Sequence, residues 1–192
     1  MGNKTTRLHP KTVQELISHI HVDFDPAEIH DWYDEFKKSC NKGKDHLDKA
    51  AFIRIYNSLF LGDGTEFACN VFRTFDSNND GLVDFHEFIV GLCVSGSSDV
   101  ETKMEWAFRM YDQNGDGYIT RDELQSVITA VYKMHLPMDM DDVSSPKTLT
   151  KELFESLDSN KDDAISFSEF KEGVKRHPIL VNLLQMDPSG HP

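Results

Sequence analysis

The stretch D-Q-N-G-D-G-Y-I-T-R-D-E, Asp112 to Glu123, puts oxygen-bearing side chains at its first, third, fifth, ninth and twelfth positions and glycine at its sixth. Two more twelve-residue stretches place oxygen-bearing side chains in the same way: D-S-N-N-D-G-L-V-D-F-H-E, Asp76 to Glu87, and D-S-N-K-D-D-A-I-S-F-S-E, Asp158 to Glu169. An acid at position 1, Asp or Asn at 3 and 5, and Glu at 12 is the pattern of a loop that wraps a calcium ion. One such stretch arises by chance. Three in 192 residues, each between apolar-periodic segments, make calcium binding the expected chemistry.

The spacing follows from the needs of a hard cation, which takes about six to eight oxygens in a flexible shell. In the first stretch the expected ligands are Asp76, Asn78, Asp80, the carbonyl of Leu82, Asp84 (often through water) and Glu87, which gives two oxygens. In the second they are Asp112, Asn114, Asp116, the carbonyl of Tyr118, Thr120 and Glu123. In the third they are Asp158, Asn160, Asp162, the carbonyl of Ala164, Ser166 and Glu169. Gly81 and Gly117 fill position 6, where the sharp turn favours left-handed backbone. Asp163 takes that place in the third stretch. Asp tolerates the left-handed region at some cost, so a competent but weaker site is expected there.

Helical stripes frame each loop. Ala68, Val71, Phe72 and Phe75 lead into the first, and Phe88 and Leu92 leave it. Met104, Ala107, Phe108 and Tyr111 precede the second, with Leu124, Val127, Ile128 and Val131 after it; Leu153, Phe154 and Leu157 precede the third, with Phe170 and Val174 after it. These i, i+3, i+4 spacings bury one helix face. Position 8 is β-branched in all three (Val83, Ile119, Ile165), which suits a short strand pairing one loop with another. Loops that pair come in even numbers, so a fourth is expected. It lies upstream, with Trp32 and Phe36 before it, Leu47 at position 8 and Phe52 at position 13. That register gives Cys40 at position 1, Lys42 at 3, Lys44 at 5 and Ala51 at 12. Two lysines repel a cation and Ala51 has no side-chain oxygen, so this loop is expected to fold as a partner and bind no calcium. The loops are numbered 1 to 4 in chain order, loop 1 being the degenerate one.

The expected fold class is therefore all-α: four helix–loop–helix repeats of the EF-hand type in two paired lobes, with short β-bridges between loops. An N-terminal lobe spans residues 1–96 and a C-terminal lobe 97–192, divided near Ser95-Gly96-Ser97-Ser98, with room for two modest cores. Leu136 to Pro146, acidic and flanked by prolines, reads as an extended linker between the third and fourth repeats.

Composition narrows the function. Twenty Lys and Arg against thirty-three Asp and Glu leave a net charge of −13, which argues against a nucleic-acid partner. There is neither an eighteen-residue apolar run nor a signal-peptide core, and three cysteines, an odd count without metal-like spacing, fit a reducing cytosol. Cys69 and Cys93 read as small core residues and Cys40 as an ordinary thiol. His9, His19, His21 and His30 crowd the N-terminal region, but His19 and His21 would not share a helix face and no cysteine pair accompanies them; surface or capping roles are expected rather than zinc. No P-loop glycines and no HExxH are present, so catalysis is not expected. Met1-Gly2-Asn3-Lys4-Thr5-Thr6 fits the acceptor for N-myristoylation at Gly2, and Lys4, Arg7 and Lys11 place basic charge beside the lipid. One acyl chain holds a membrane only marginally, so such a second signal is needed. The expected location is cytoplasmic with reversible membrane association.

The M-G-N start, Trp32-Tyr33 before a disabled cysteine-bearing loop, and the phrases FRTFDSNNDG (Phe72 to Gly81), WAFRMYD (Trp106 to Asp112) and LLQMDP (Leu183 to Pro188) resemble the neuronal calcium sensor family of recoverin, hippocalcin and visinin-like type. The resemblance covers nearly the whole chain. It implies a calcium–myristoyl switch, in which the lipid is stowed without calcium and expelled with it. It also implies a groove for an amphipathic target helix, lined by Trp32, Phe36, Phe52, Ile55, Tyr56, Phe60, Phe88 and Leu92. Receptor kinases, cyclases, channel subunits and lipid kinases are the implied target classes, and a homodimer is a further possibility. Cys40-Asn41-Lys42-Gly43 departs from the family's Cys-Pro-x-Gly. A calcium buffer without a target, or a subunit that holds its channel or enzyme without calcium, are the alternatives. The apolar run Ile179, Leu180, Val181, Leu183, Leu184 either packs on the second lobe in competition with targets or completes its core.

Overall fold

A computed structural model describes residues 26–58, 62–95, 99–134 and 145–182. Gly2, Phe60, His9, His19, His21, Leu183 and Leu184 lie outside them. The first hand is α1 (Pro26–Ser39), β1 (His46–Asp48) and α2 (Lys49–Asn57). The second is α3 (Thr65–Phe75), β2 (Leu82–Asp84) and α4 (Phe85–Ser95). The third is α5 (Val100–Tyr111), β3 (Tyr118–Ile119) and α6 (Arg121–Met134). The fourth is α7 (Pro146–Leu157), β4 (Ile165–Ser166) and α8 (Phe167–Arg176), followed by a short α9 (Ile179–Asn182).

Local chemistry sets the element ends. Asp48, Asp99 and Ser145 cap α2, α5 and α7 by accepting from the N–H of Ala51, Thr102 and Thr148. Ser145 caps and Pro146 opens α7, so Pro146 belongs to the helix rather than to the preceding linker; its fixed φ and missing N–H suit the first turn. At the other end, α3, α5 and α7 each stop at the aspartate that begins a loop. Those aspartates donate their N–H to Phe72, Phe108 and Phe154 at 2.8, 2.8 and 2.9 Å.

β1 pairs antiparallel with β2 through Leu47 and Val83, and β3 with β4 through Ile119 and Ile165. All four of these position-8 side chains are buried. The Leu47–Val83 pairing fixes the register of loop 1, with Cys40 at position 1 and Ala51 at position 12.

Around the first pair of hands, Phe36 meets Phe85 and Phe88, and Phe52 meets Phe72 and Phe75 edge-on. Around the second, Phe108 meets Phe167 and Phe170, and Phe170 meets Tyr111. The buried side chains of both pairs join in one contiguous cluster. At the seam, the N–H groups of Gly62 and Asp63 donate to the carbonyls of Met134 and Lys133 at the end of α6, both at 3.1 Å, and Lys133 pairs with Glu66 at 2.8 Å. A Cβ on Gly62 would lie 2.4 Å from the Lys133 carbonyl oxygen, so only glycine permits this approach.

α9 lies on the second pair, with Leu180 buried and its carbonyl accepting from the Tyr111 hydroxyl at 3.0 Å. Leu180 and Val181 thus contribute to that core, while Ile179 is exposed. Cys69 and Cys93, expected as small core residues, are half-buried, with Cys93 packed against the core, and Cys40 is buried. Position 1 is the reason: it is 8 % exposed at Cys40 and 7, 6 and 9 % at Asp76, Asp112 and Asp158. Burial raises the Cys40 thiol pKa and lifts that of Cys93 to about 11.

Candidate calcium sites

Loops 2, 3 and 4 share one hydrogen-bond scheme. The position-1 carboxylate accepts from the position-6 N–H: Gly81 at 2.9 Å, Gly117 at 2.9 Å and Asp163 at 3.1 Å. The position-3 amide oxygen and the position-1 carboxylate both accept from the position-5 N–H, at 2.8 and 3.0 Å in loop 2. The position-5 carboxylate accepts from position 7, at 2.9, 2.9 and 3.1 Å. The position-12 glutamate reaches back across the ring. One oxygen takes the N–H of position 2 (Ser77, Gln113, Ser159) at 3.1, 3.0 and 3.2 Å, and the other takes the N–H of position 9 at 3.2, 2.9 and 2.9 Å. The hydroxyls of Ser77 and Ser159 add a further bond to that glutamate, at 3.0 Å each. Serine adjoining the first ligand is the sequence signal for this support, which the ligand pattern alone does not contain.

Positive φ angles at positions 4 and 6 make this wrapping possible: Asn79 and Gly81, Gly115 and Gly117, Lys161 and Asp163. Asp163 sits at φ 64°, the strained geometry its sequence position implies. Asp163→Gly relieves that strain and removes a charge from a crowded acidic loop. The calcium-free protein is expected to gain about 0.5–1 kcal/mol, net of the entropy of a freer unfolded chain. Thermal unfolding in chelator checks this; unchanged or lower stability would contradict it.

The donor set fits calcium. Each of these loops gathers carboxylates at positions 1, 5 and 12, and among the described residues no ion pair joins any of them to a basic side chain. Position 1 is buried in each, where uncompensated charge is costly. A divalent cation relieves both the repulsion and the burial. Among the described residues no group of three or more His, Cys, Asp and Glu is arranged to hold a metal by itself. The oxygens here come instead from carboxylates alternating with amide, hydroxyl and main-chain groups, a hard-cation set. Burial works against ionisation of Glu169, but donors from Ser166, Ser159 and Asn160 outweigh it and lower its pKa to about 2.

Loop 1 keeps the fold without ligand oxygens on the side chains at positions 1, 3, 5 and 12. Lys37 donates to the Lys44 carbonyl at 2.9 Å, Asn41 to the Asp48 carboxylate at 2.8 Å, and Gly43 takes the left-handed position 4. Cys40, Lys42, Lys44 and Ala51 stand where the other loops place ligands.

Beside loop 1 an apolar cleft of about 190 Å³ is lined by Trp32, Glu35, Phe36, Ser39, Leu47, Ile55, Phe88 and Leu92. Five of the expected groove residues, Trp32, Phe36, Ile55, Phe88 and Leu92, are therefore together. Phe52 and Tyr56 are not among them; they stack on each other and face α3, where Phe52 meets Phe72 and Tyr56 meets Phe67. Residues 32, 35, 36 and 39 share one face of α1, which is how Glu35 and Ser39 reach the rim.

Paired helix–loop–helix hands with this oxygen scheme define an EF-hand calcium-binding protein. Family models described as an EF-hand domain pair match residues 43–92 and 101–175. Neuronal calcium sensor 1 of Lymnaea stagnalis is 40 % identical over 99 % of both chains. Human recoverin is 32 % identical, covering 98 % of this chain and 95 % of its own. A guanylyl cyclase inhibitory protein of Lithobates pipiens is 32 % identical over 84 % of this chain and 79 % of its own. The chain belongs to the neuronal calcium sensor family.

Proposed function

We propose that this calcium sensor fills loops 2, 3 and 4, leaves loop 1 empty, and uses the filling of loop 2 to open the cleft between α1, α2 and α4 for an amphipathic helix of a target protein. The carrying observation is the contrast between loops: loops 2 to 4 repeat one carboxylate-centred scheme, while loop 1 has the same backbone pairing with lysines in place of acids. The two pairs act as lobes, 1–96 and 97–192. An α-helix with side chains is about 10–12 Å across, so a cleft of about 190 Å³ admits anchor side chains and must widen for a helix. Sensor hands open on calcium in this way because calcium binds the open state better.

The M-G-x-x-x-T start supports a myristoyl group on Gly2 that associates with membrane when calcium binds. Among the described residues no helix is long and apolar enough to cross a membrane. The similarity to a guanylyl cyclase inhibitory protein favours a cyclase-class target, with receptor kinases, channels and lipid kinases as the other classes.

Liposome co-sedimentation of the chain made with and without N-myristoyltransferase tests the switch. Binding by the lipidated form in calcium alone is the expected result. Equal binding in chelator would mean a permanently exposed lipid, and no binding in any condition would favour a cytosolic sensor or a buffer.

A further inference from the structure

We propose that Arg73, on the second hand, is a positioning residue for loop 3 and makes calcium binding at loops 2 and 3 interdependent. Arg73 lies in the last turn of α3, three residues before Asp76. Its side chain crosses to the third hand. Nη1 donates to the carbonyl of Asp112 at 2.6 Å, and Nη2 to those of Arg109 and Met110 at 3.0 and 3.1 Å. These carbonyls end α5 and have no N–H of their own helix to accept from. A half-buried cation is also favoured at the negative end of a helix.

Asp112 gives this contact its consequence. It is both the residue that ends α5 and position 1 of loop 3. Its N–H is held by the Phe108 carbonyl at 2.8 Å, and its carboxylate by the N–H groups of Gly115, Asp116 and Gly117. Gripping the Asp112 carbonyl therefore fixes the peptide from which that first ligand projects. The other end of the grip is the helix that runs directly into loop 2. Thr74, next along α3, touches the same turn through Met110 Sδ at 3.7 Å. The Gly62 and Lys133 contacts also join the hands, but they hold the end of α6 and touch no loop ligand. The planar guanidinium fork reaches these three carbonyls from two nitrogens held in fixed geometry; a lysine ammonium is a single point charge without that fork.

The inference rests on loops 2 and 3 both binding calcium, and the test separates the two claims. The amides of Gly81 and Gly117, each bonded to the position-1 carboxylate of its loop, report occupancy separately in a two-dimensional NMR calcium titration of the full chain. Emptying loop 2 with Glu87→Gln is expected to shift the Gly117 midpoint by about five-fold or more when Arg73 is present. In Arg73→Met, which keeps the apolar stem, the same substitution should shift it by less than about two-fold, the range of independent sites. Arg73→Lys should also lose the coupling, and it carries the test if the Met variant does not fold. An equal shift with and without Arg73, or no shift in its presence, would overturn the proposal. A Gly117 amide that ignores calcium in the native chain would overturn the loop 3 site itself.

Discussion

Replacing Glu87 by glutamine is expected to empty loop 2 and to abolish calcium-dependent opening of the cleft, while Glu169→Gln leaves that opening largely intact. Glu87 is buried, and its two oxygens accept from Ser77, Asn78 and Asp84. Glutamine keeps one acceptor and turns the other into a donor. Whichever way the amide lies, its NH₂ faces an N–H that needs an acceptor. The charge that would offset calcium is lost as well. Supporting residues around a metal are worth about 10–100-fold in affinity, so losing a bidentate ligand should exceed about 100-fold. The effect reaches the cleft because Glu87 is in the first turn of α4, whose next residue, Phe88, lines it, as does Leu92. Glu169 heads α8, whose Phe170 packs against Phe108 and Tyr111 in the other pair. Calcium-dependent binding of an apolar dye or of liposomes reads the difference. Equal loss in both variants would contradict the assignment of the cleft to loop 2.

Phe36→Ala is expected to lower stability by about 3–5 kcal/mol in chelator, and by less in calcium. Phe36 is only 2 % exposed and meets both Phe85 and Phe88, so truncation leaves a cavity between α1 and α4. An opened cleft exposes this face, and the lost contacts then cost less. A substitution that harms the closed form more than the open one must raise apparent calcium affinity, because calcium favours the form that has been spared. Denaturant unfolding with and without calcium, beside a calcium titration, measures both effects. Equal destabilisation in the two conditions would remove Phe36 from the opening surface.

The architecture was legible because the cation imposes a strict spacing. Position 8 supplied the loop pairing, and Leu47 against Val83 agrees with the register of loop 1 counted from Leu47 at position 8 and Phe52 at position 13. The cleft was legible only in part. α2 reads K-A-A-F-I-R-I-Y-N and is apolar on more than one face, so the sequence does not say that Ile55 turns to the cleft while Phe52 and Tyr56 turn to α3. The burial of Cys40 is not legible from the ligand pattern, because position 1 is polar in the other loops although its place is buried in every loop. Nothing in the spacing pointed to Arg73, since a side chain that bonds the carbonyls of a distant helix leaves no local pattern.

The most direct test of the central claim is native mass spectrometry of the full chain in saturating calcium, together with Glu87→Gln, Glu123→Gln and Glu169→Gln. Three bound ions are expected for the native chain and one fewer for each variant. A fourth ion would mean that loop 1 binds despite Lys42, Lys44 and Ala51. Two ions, with one variant unchanged, would mean that one of the three carboxylate loops is structural.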